Sequence, residues 1–281
     1  MCYIHDQVRN VMKTGRKLLQ SFYWTVIIGA ITVVHLLGLG AWAVAAPPMI
    51  AAASSLRFGL TEVAQIYYRD TGAKVRLSFG SSGNFARQIR QGAPFKVFMS
   101  ADESYVLNLA QDKFTIGKGV LYAIGRVAIF SPVGSPLKVD AAMQGLRLLV
   151  KNRKLKYFAI ANPEHAPYGR AAREVLIHAG LWAKIRPHLV LGENISQAAQ
   201  FALSKSTQGG LLAYSLVLSP PFTGQGESVL IPASWHKPLR QRMALVKGAG
   251  QTAQRFYQYI QQKPARTILR LYGFFHSMGV E

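Results

Sequence analysis

Cysteine is almost absent from this chain of 281 residues: the only one, Cys2, stands at the extreme N-terminus. The globular part can therefore hold no disulfide framework, no thiolate metal cluster and no cysteine nucleophile. Acidic residues are scarce too, 12 against 33 Lys plus Arg, so chemistry that needs paired carboxylates has few candidates. The adjacent pair Asp102-Glu103 follows Ser100-Ala101 at an expected strand end and reads as an N-cap for the next helix. The histidines at 165, 178, 188, 236 and 276 show no pair at metal-ligand spacing on one helix, which argues against zinc. No Gly-x-Ser-x-Gly elbow and no phosphate-binding loop with lysine occurs. An enzyme would have to work through His165 or Asp102, and no motif around either supports it.

What is present begins with a core-forming composition. Half of the residues are hydrophobic and only 16% are charged, enough apolar surface for one large domain or two smaller lobes. The N-terminus has the three parts of an export signal: Arg9, Lys13, Arg16 and Lys17, an apolar run from Phe22 to about Gly40, then Ala41-Trp42-Ala43 and Ala43-Val44-Ala45. Cleavage is expected after Ala45 or Ala46. The apolar run is also long enough to span a bilayer as an uncleaved anchor. In both cases the positive charges precede the run and stay inside, so the remainder is extracytoplasmic.

Loss of residues 1–46 would remove four basic residues and one acidic one, leaving a net charge of +18. Most of the basic residues are scattered. The one dense stretch, Arg147, Lys151, Arg153, Lys154 and Lys156, has no interleaved aromatic before Tyr157, so it reads as a solvated face that attracts anions, not as a nucleic-acid surface.

From Pro47 onward short apolar runs alternate with helical periodicity, the pattern of a parallel sheet covered on both faces. Strands are expected at 49–53, 75–79 and 97–100, with helices at 56–70, through Ala86 and Ile89 to Gly92 after the turn Gly80-Ser81-Ser82-Gly83, and at 103–111. After the glycines at 117, 119 and 125 a second series follows: strands 127–130, 157–161 and 211–214, and helices 170–179 and 196–204. A strand at 243–246 and helices at 253–260 and 265–272 close the chain, and Pro220-Pro221 with Gly224-Gln225-Gly226 reads as a surface loop. Two successive series suggest two α/β lobes, taken as 47–124 with 236–281 and 125–235; the return of the tail to the first lobe is the pattern of two-lobed folds and is not set by periodicity.

In such sheets ligands bind where strand C-termini lead into helix N-termini. Three joints carry small or hydroxyl residues: Ala53-Ser54-Ser55, Ser81-Ser82-Gly83 and Pro167-Tyr168-Gly169. Each offers free backbone N–H groups and the positive end of a helix dipole, which suits an anion. Serine also caps helices with no ligand present. The residues alone leave both roles open.

At these joints the sequence resembles a known family. AAASSLRFGLTEVAQIYYRDTG, FGSSGNFARQIRQGAP, FMSADE, NPEHAPYGRAAREVL and RFYQYIQQKPARTILRLYGF, in this order across residues 49–275, are similar to the periplasmic molybdate-binding proteins of ABC importers. The resemblance implies a type II periplasmic-binding-protein fold that holds a tetrahedral oxyanion between two lobes. It implies Ser55, with Ser54 as its adjacent alternative, Ser82, Tyr168 and Ile195 through their backbone N–H groups, and Tyr214 through its phenol. All of these would be hydrogen-bond donors. That suits molybdate, tungstate or sulfate, which are fully deprotonated near neutral pH, and not phosphate, which keeps a proton. The expectations that follow are a non-enzymatic, monomeric periplasmic protein without a cofactor, delivering molybdate or tungstate to a membrane permease. The alternatives are a binder of sulfate or another oxyanion and, should the apolar run stay uncleaved, a membrane-anchored sensor or interaction module.

Overall fold

The computed structural model describes residues 46–275. The signal or anchor segment expected at residues 1–46 lies outside them except for Ala46. Strand β1 (Met49–Ala53) passes through a 3-10 turn, Ser54–Leu56, into helix α1 (Arg57–Thr71), which Gly72 ends in the left-handed conformation. Then follow β2 (Arg76–Gly80), α2 (Ser82–Arg90), β3 (Phe95–Ser100), α3 (Glu103–Gln111) and β4 (Thr115–Gly125). The middle of the chain holds β5 (Val127–Pro132), α4 (Gln144–Lys151), β6 (Phe158–Ala161), α5 (Pro167–His178), α6 (Trp182–Ile185) and β7 (Leu189–Gly192). After these come α7 (Ile195–Leu203), β8 (Gly210–Ala213), α8 (Tyr214–Val217) and β9 (Gly226–Leu230). The chain returns through β10 (Leu239–Val246), α9 (Gln251–Tyr259) and α10 (Lys263–Leu271).

The strands form two five-stranded sheets, β2-β1-β3-β10-β4 and β7-β6-β8-β5-β9. Four strands in each run in one direction, while β10 and β5 are antiparallel to both of their neighbours. The sheets are therefore mixed, where alternation of strands and helices had suggested parallel ones. The long return connections, β3 to β10 and β5 to β8, are what alternation cannot reveal. The chain leaves the first sheet at Gly125-Arg126 and comes back between Leu230 and Leu239. Arg126 ties the two crossings together, its guanidinium donating to the carbonyl of Ile231 at 3.1 Å.

Alternation along β1 sets the layers of the first lobe. Ile50 and Ala52 face a core with Leu56, Leu60, Phe256 and Leu269, and Ala51 faces one with Phe85, Phe98 and Leu109. The second lobe buries Ile129, Phe158, Ile160, Val175 and Leu211 in a cluster that also takes in Ala53 and Ala101, from the C-terminal ends of β1 and β3. Those two alanines bring apolar contact across the cleft. No helix among the described residues is long and apolar enough to cross a membrane.

Candidate functional site

The C-terminal ends of the parallel strands in both sheets face one small cavity. Its lining is Ala53, Ser54, Ser55, Gly80, Ser81, Ser82, Ala101, Ala166, Pro167, Tyr168 and Ile195, and its volume is about 10 Å³. That is below the range for drug-sized ligands. Nothing in the lining carries a charge.

Three helices aim their N-termini at this space. Ser82 is the first residue of α2, Tyr168 the second of α5 after Pro167, and Ile195 the first of α7. Helix geometry leaves such N–H groups without an intrahelical acceptor and adds a partial positive charge. The Asn194 side chain caps α7 by accepting from Ser196 and Gln197 N–H, at 3.0 and 3.2 Å, which takes up the neighbours of the Ile195 N–H. The 3-10 turn supplies Ser54 and Ser55.

Three of the serines already accept a hydrogen bond. Ala101 N–H donates to Ser82 Oγ at 3.0 Å, Ser196 N–H to Ser54 Oγ at 3.3 Å and Asn84 N–H to Ser81 Oγ at 3.4 Å. A hydroxyl that already accepts keeps its proton to donate. Ser55 Oγ is buried without any hydrogen-bond partner, a group that costs about 1–3 kcal/mol unless something fills the space beside it. Tyr168 is 2% exposed and receives a hydrogen bond from Gln241 Nε2 at 3.2 Å. Burial is the largest influence on its phenol and pushes it well up, while the nearby Ser55, Gln241 and Ser215 pull the other way. It stays protonated throughout the physiological range.

The lobes touch all around this space. Gly83 N–H donates to His165 O at 3.0 Å, Ser196 Oγ to Ser54 O at 2.9 Å, and Ser215 Oγ to Ser55 O at 2.8 Å. His165 lies with Nδ1 3.1 Å from Ser81 Oγ and Nε2 3.4 Å from the Glu193 carboxylate, which also receives Asn84 Nδ2. Asp102 caps α3, accepting from Ser104 N–H at 2.8 Å as its sequence context suggested, and pairs with Arg170 of the other lobe. Arg170 further donates to Tyr105 at 2.6 Å. Beside this pair lies a wider charged cavity with Glu103, Glu174, Lys237 and Arg240 in its walls. Its carboxylates are already engaged by Arg170, Arg240, Arg242 and the Lys237 N–H.

Of the five residues expected from sequence, Ser55, Ser82, Tyr168 and Ile195 come together. Tyr214 does not: its ring packs beside Gly273, and it is not in the cavity lining. Tyr168 is the tyrosine of the lining, expected there for its backbone N–H. Gln241, behind Tyr168, went unnoticed, although period-2 alternation with Leu239 and Met243 on β10 marks it as inward-facing.

Residues 49–275 match the family model described as bacterial extracellular solute-binding protein. The chain is 34% identical to the molybdate-binding protein ModA of Rhodobacter capsulatus over 257 residues, covering 90% of this chain and 98% of the relative. It is also 34% identical to ModA of Azotobacter vinelandii, covering 82% and 90%. Among solved structures, the Azotobacter vinelandii periplasmic molybdate-binding protein superposes with a TM-score of 0.74 at 28% identity, covering 81% of this chain and 98% of that one. The sulfate-binding protein SubI of Mycobacterium tuberculosis shares the fold, with a TM-score of 0.68 at 12% identity. The chain belongs to the bacterial extracellular solute-binding proteins and has their two-lobed periplasmic-binding-protein fold.

Proposed function

We propose that this protein captures molybdate or tungstate outside the cytoplasm and delivers it to the membrane permease of an ABC importer. The observation that carries the reading is an uncharged cavity at three helix N-termini where the hydroxyls of Ser54, Ser81 and Ser82 are left to donate and Ser55 has no partner. Such a site satisfies an ion that only accepts hydrogen bonds. Each bond to a charged acceptor is worth about 1.5–3 kcal/mol, so several neutral donors hold a dianion without a salt bridge. The relatives named as molybdate-binding proteins support the choice of ion.

The ligand set we assign is Ser55 and Ser82 through their hydroxyls, Ile195 through its N–H, and Tyr168 through its phenol, with Tyr214 outside it. The protein then works as a monomer in the periplasm, without a cofactor, catalytic residue or nucleic-acid partner. Its chemistry is binding and release as the lobes close and open. The net positive charge speeds the arrival of anions and does not select among them.

The test is thermal unfolding of the exported form with molybdate, tungstate, sulfate or phosphate in hundredfold excess over the dissociation constant expected. A ligand bound only by the folded state adds about 2.7 kcal/mol, or roughly 5–10 °C for a chain of this size. A rise with molybdate and tungstate alone is the expected result. A rise with sulfate as well would make the protein a general binder of deprotonated oxyanions, and no rise with any of the four would sink the reading.

A second measurement separates the two tyrosines. Tyr168→Phe should weaken molybdate binding by about ten- to hundredfold, the value of one hydrogen bond to a charged acceptor. Tyr214→Phe should leave it unchanged. The reverse result by calorimetric titration would return Tyr214 to the ligand set.

A further inference from the structure

Gln241 lies on β10 between Arg240 and Arg242, yet it is completely buried, with 0% of its surface exposed. It is not part of the cavity lining. Its amide joins two buried phenols: Tyr122 donates to Oε1 at 2.9 Å, and Nε2 donates to Tyr168 at 3.2 Å. The chain of bonds runs from β4 through β10 to α5 and so crosses from one lobe to the other at the point where the strands connect them.

The direction of these bonds is what gives them consequence. A phenol oxygen can both donate and accept. With the amide N–H on its acceptor side, the Tyr168 O–H is left to donate away from Gln241. If the amide were turned over, Oε1 would take that proton away from the cavity. Tyr122 would then lose its 2.9 Å acceptor and keep only Ser100 O at 3.4 Å. The observed orientation is thus the one that satisfies all three side chains. It repeats with a side chain what Ala101 N–H does for Ser82 and Ser196 N–H does for Ser54.

We propose that Gln241 is a positioning residue that makes Tyr168 a donor only, and through it sets the preference of the site for fully deprotonated oxyanions over those that keep a proton. An ion such as hydrogen phosphate needs an acceptor for its own O–H. Tyr168 is, with Ser55, a hydroxyl able to provide one, and Gln241 already occupies its acceptor side. The inference rests on the oxyanion reading above and adds the residue that enforces its selectivity.

Two variants test it, each titrated with molybdate and with phosphate by calorimetry, after circular dichroism has shown the unliganded protein folded. Gln241→Met keeps the length but removes the N–H, so the phenol can accept again. Molybdate should bind more weakly, and its advantage over phosphate should shrink by about tenfold or more, since one hydrogen bond decides it. Gln241→Glu replaces the donor by an acceptor. At pH 8.5 its carboxylate draws the Tyr168 proton, and molybdate affinity should fall by about ten- to hundredfold. Burial raises the pKa of a carboxyl, so affinity should recover toward pH 6 as the introduced carboxyl takes up a proton and can donate. The titratable side chains facing position 241 are Tyr122 and Tyr168; burial pushes both up, and they stay neutral over this range. Loss of packing alone would produce neither the phosphate response nor the proton-linked recovery. If both variants bind molybdate as the wild type does, reject phosphate as well and show no pH slope, the role of Gln241 is overturned while the oxyanion reading stands. If the wild-type protein binds no oxyanion, both fall together.

Discussion

Gly83→Ala should cost the protein its ligand while leaving its fold intact. A Cβ at Gly83 would sit 2.6 Å from the carbonyl oxygen of His165 and 3.1 Å from its Cα, backbone of the opposite lobe, and 2.8 Å from the Tyr105 hydroxyl. Contacts of that length do not occur, so the lobes would have to stand apart by several tenths of an ångström. The bond from Gly83 N–H to His165 O, now 3.0 Å, would stretch, and so would every interlobe donor distance to an enclosed ion. Hydrogen bonds weaken steeply beyond their normal range. With donors from both lobes needed at once, loss of two of them amounts to about a hundredfold in affinity or more. Gly83 lies in the first turn of α2, where alanine is the better helix former by up to about 1 kcal/mol. The unliganded protein should therefore melt at the same temperature or slightly higher. Calorimetric titration with molybdate and a melting curve without it check the two halves, and retained affinity would mean that the lobes bind the ion without the closure observed.

The contacts at the rim explain why closure depends on fit and not on charge. His165, Ser81, Asn84 and Glu193 meet on one side, and Asp102, Tyr105 and Arg170 on the other. These groups are partly exposed, where ion pairs contribute only about 0–1 kcal/mol each. They guide the approach of the lobes. The enclosed donors decide whether closure is favourable.

Much of this architecture is legible in the sequence because local signals agree with tertiary ones. Periodicity locates β1 and α1, and Asp102 announces α3, which spans Glu103–Gln111 as expected. The eleven-residue strand β4 is hidden by Gly117 and Gly119, whose positive φ angles break its pattern without ending it. They look like punctuation because glycine usually is. Helix α4 is obscured by its basic residues, yet Asp140 caps it from a distance, accepting from Gln144 and Gly145 N–H at 2.9 Å each. In the site, serines before helices suggest an anion on their own. Ile195 brings to the cavity a helix-terminal N–H that any residue would supply, so no side-chain signal exists there. Tyr168 and Tyr214 both stand in the first turn of a helix, and only assembly of the fold puts Tyr168 in the lining and Tyr214 against Gly273. Alternation with Leu239 and Met243 points Gln241 inward, but its bonds to Tyr122 and Tyr168 exist only once β4, β10 and α5 are assembled.

Gly125→Ala should damage binding and stability together, which separates it from Gly83→Ala. Gly125 ends β4 immediately before the chain crosses between the lobes, and an added Cβ would overlap the Tyr168 hydroxyl and lie 2.6 Å from Gln241 Nε2. Both atoms are buried, so neither can move into solvent. The side chains would have to leave their rotamers or the strand would have to shift, a strain of roughly 1–3 kcal/mol for an overfilled core. The melting point of the unliganded protein should fall by roughly 2–10 °C. Displacing the phenol also breaks its bond to Gln241 and moves a donor out of line with the cavity, so molybdate affinity should drop by about a hundredfold or more. Adding Tyr168→Phe to Gly125→Ala removes the atom in closest conflict. The double variant should regain most of the lost stability but none of the affinity, because space has been restored and the donor has not. Recovery of both would show that the phenol fills space behind the site and takes no part in holding the ion.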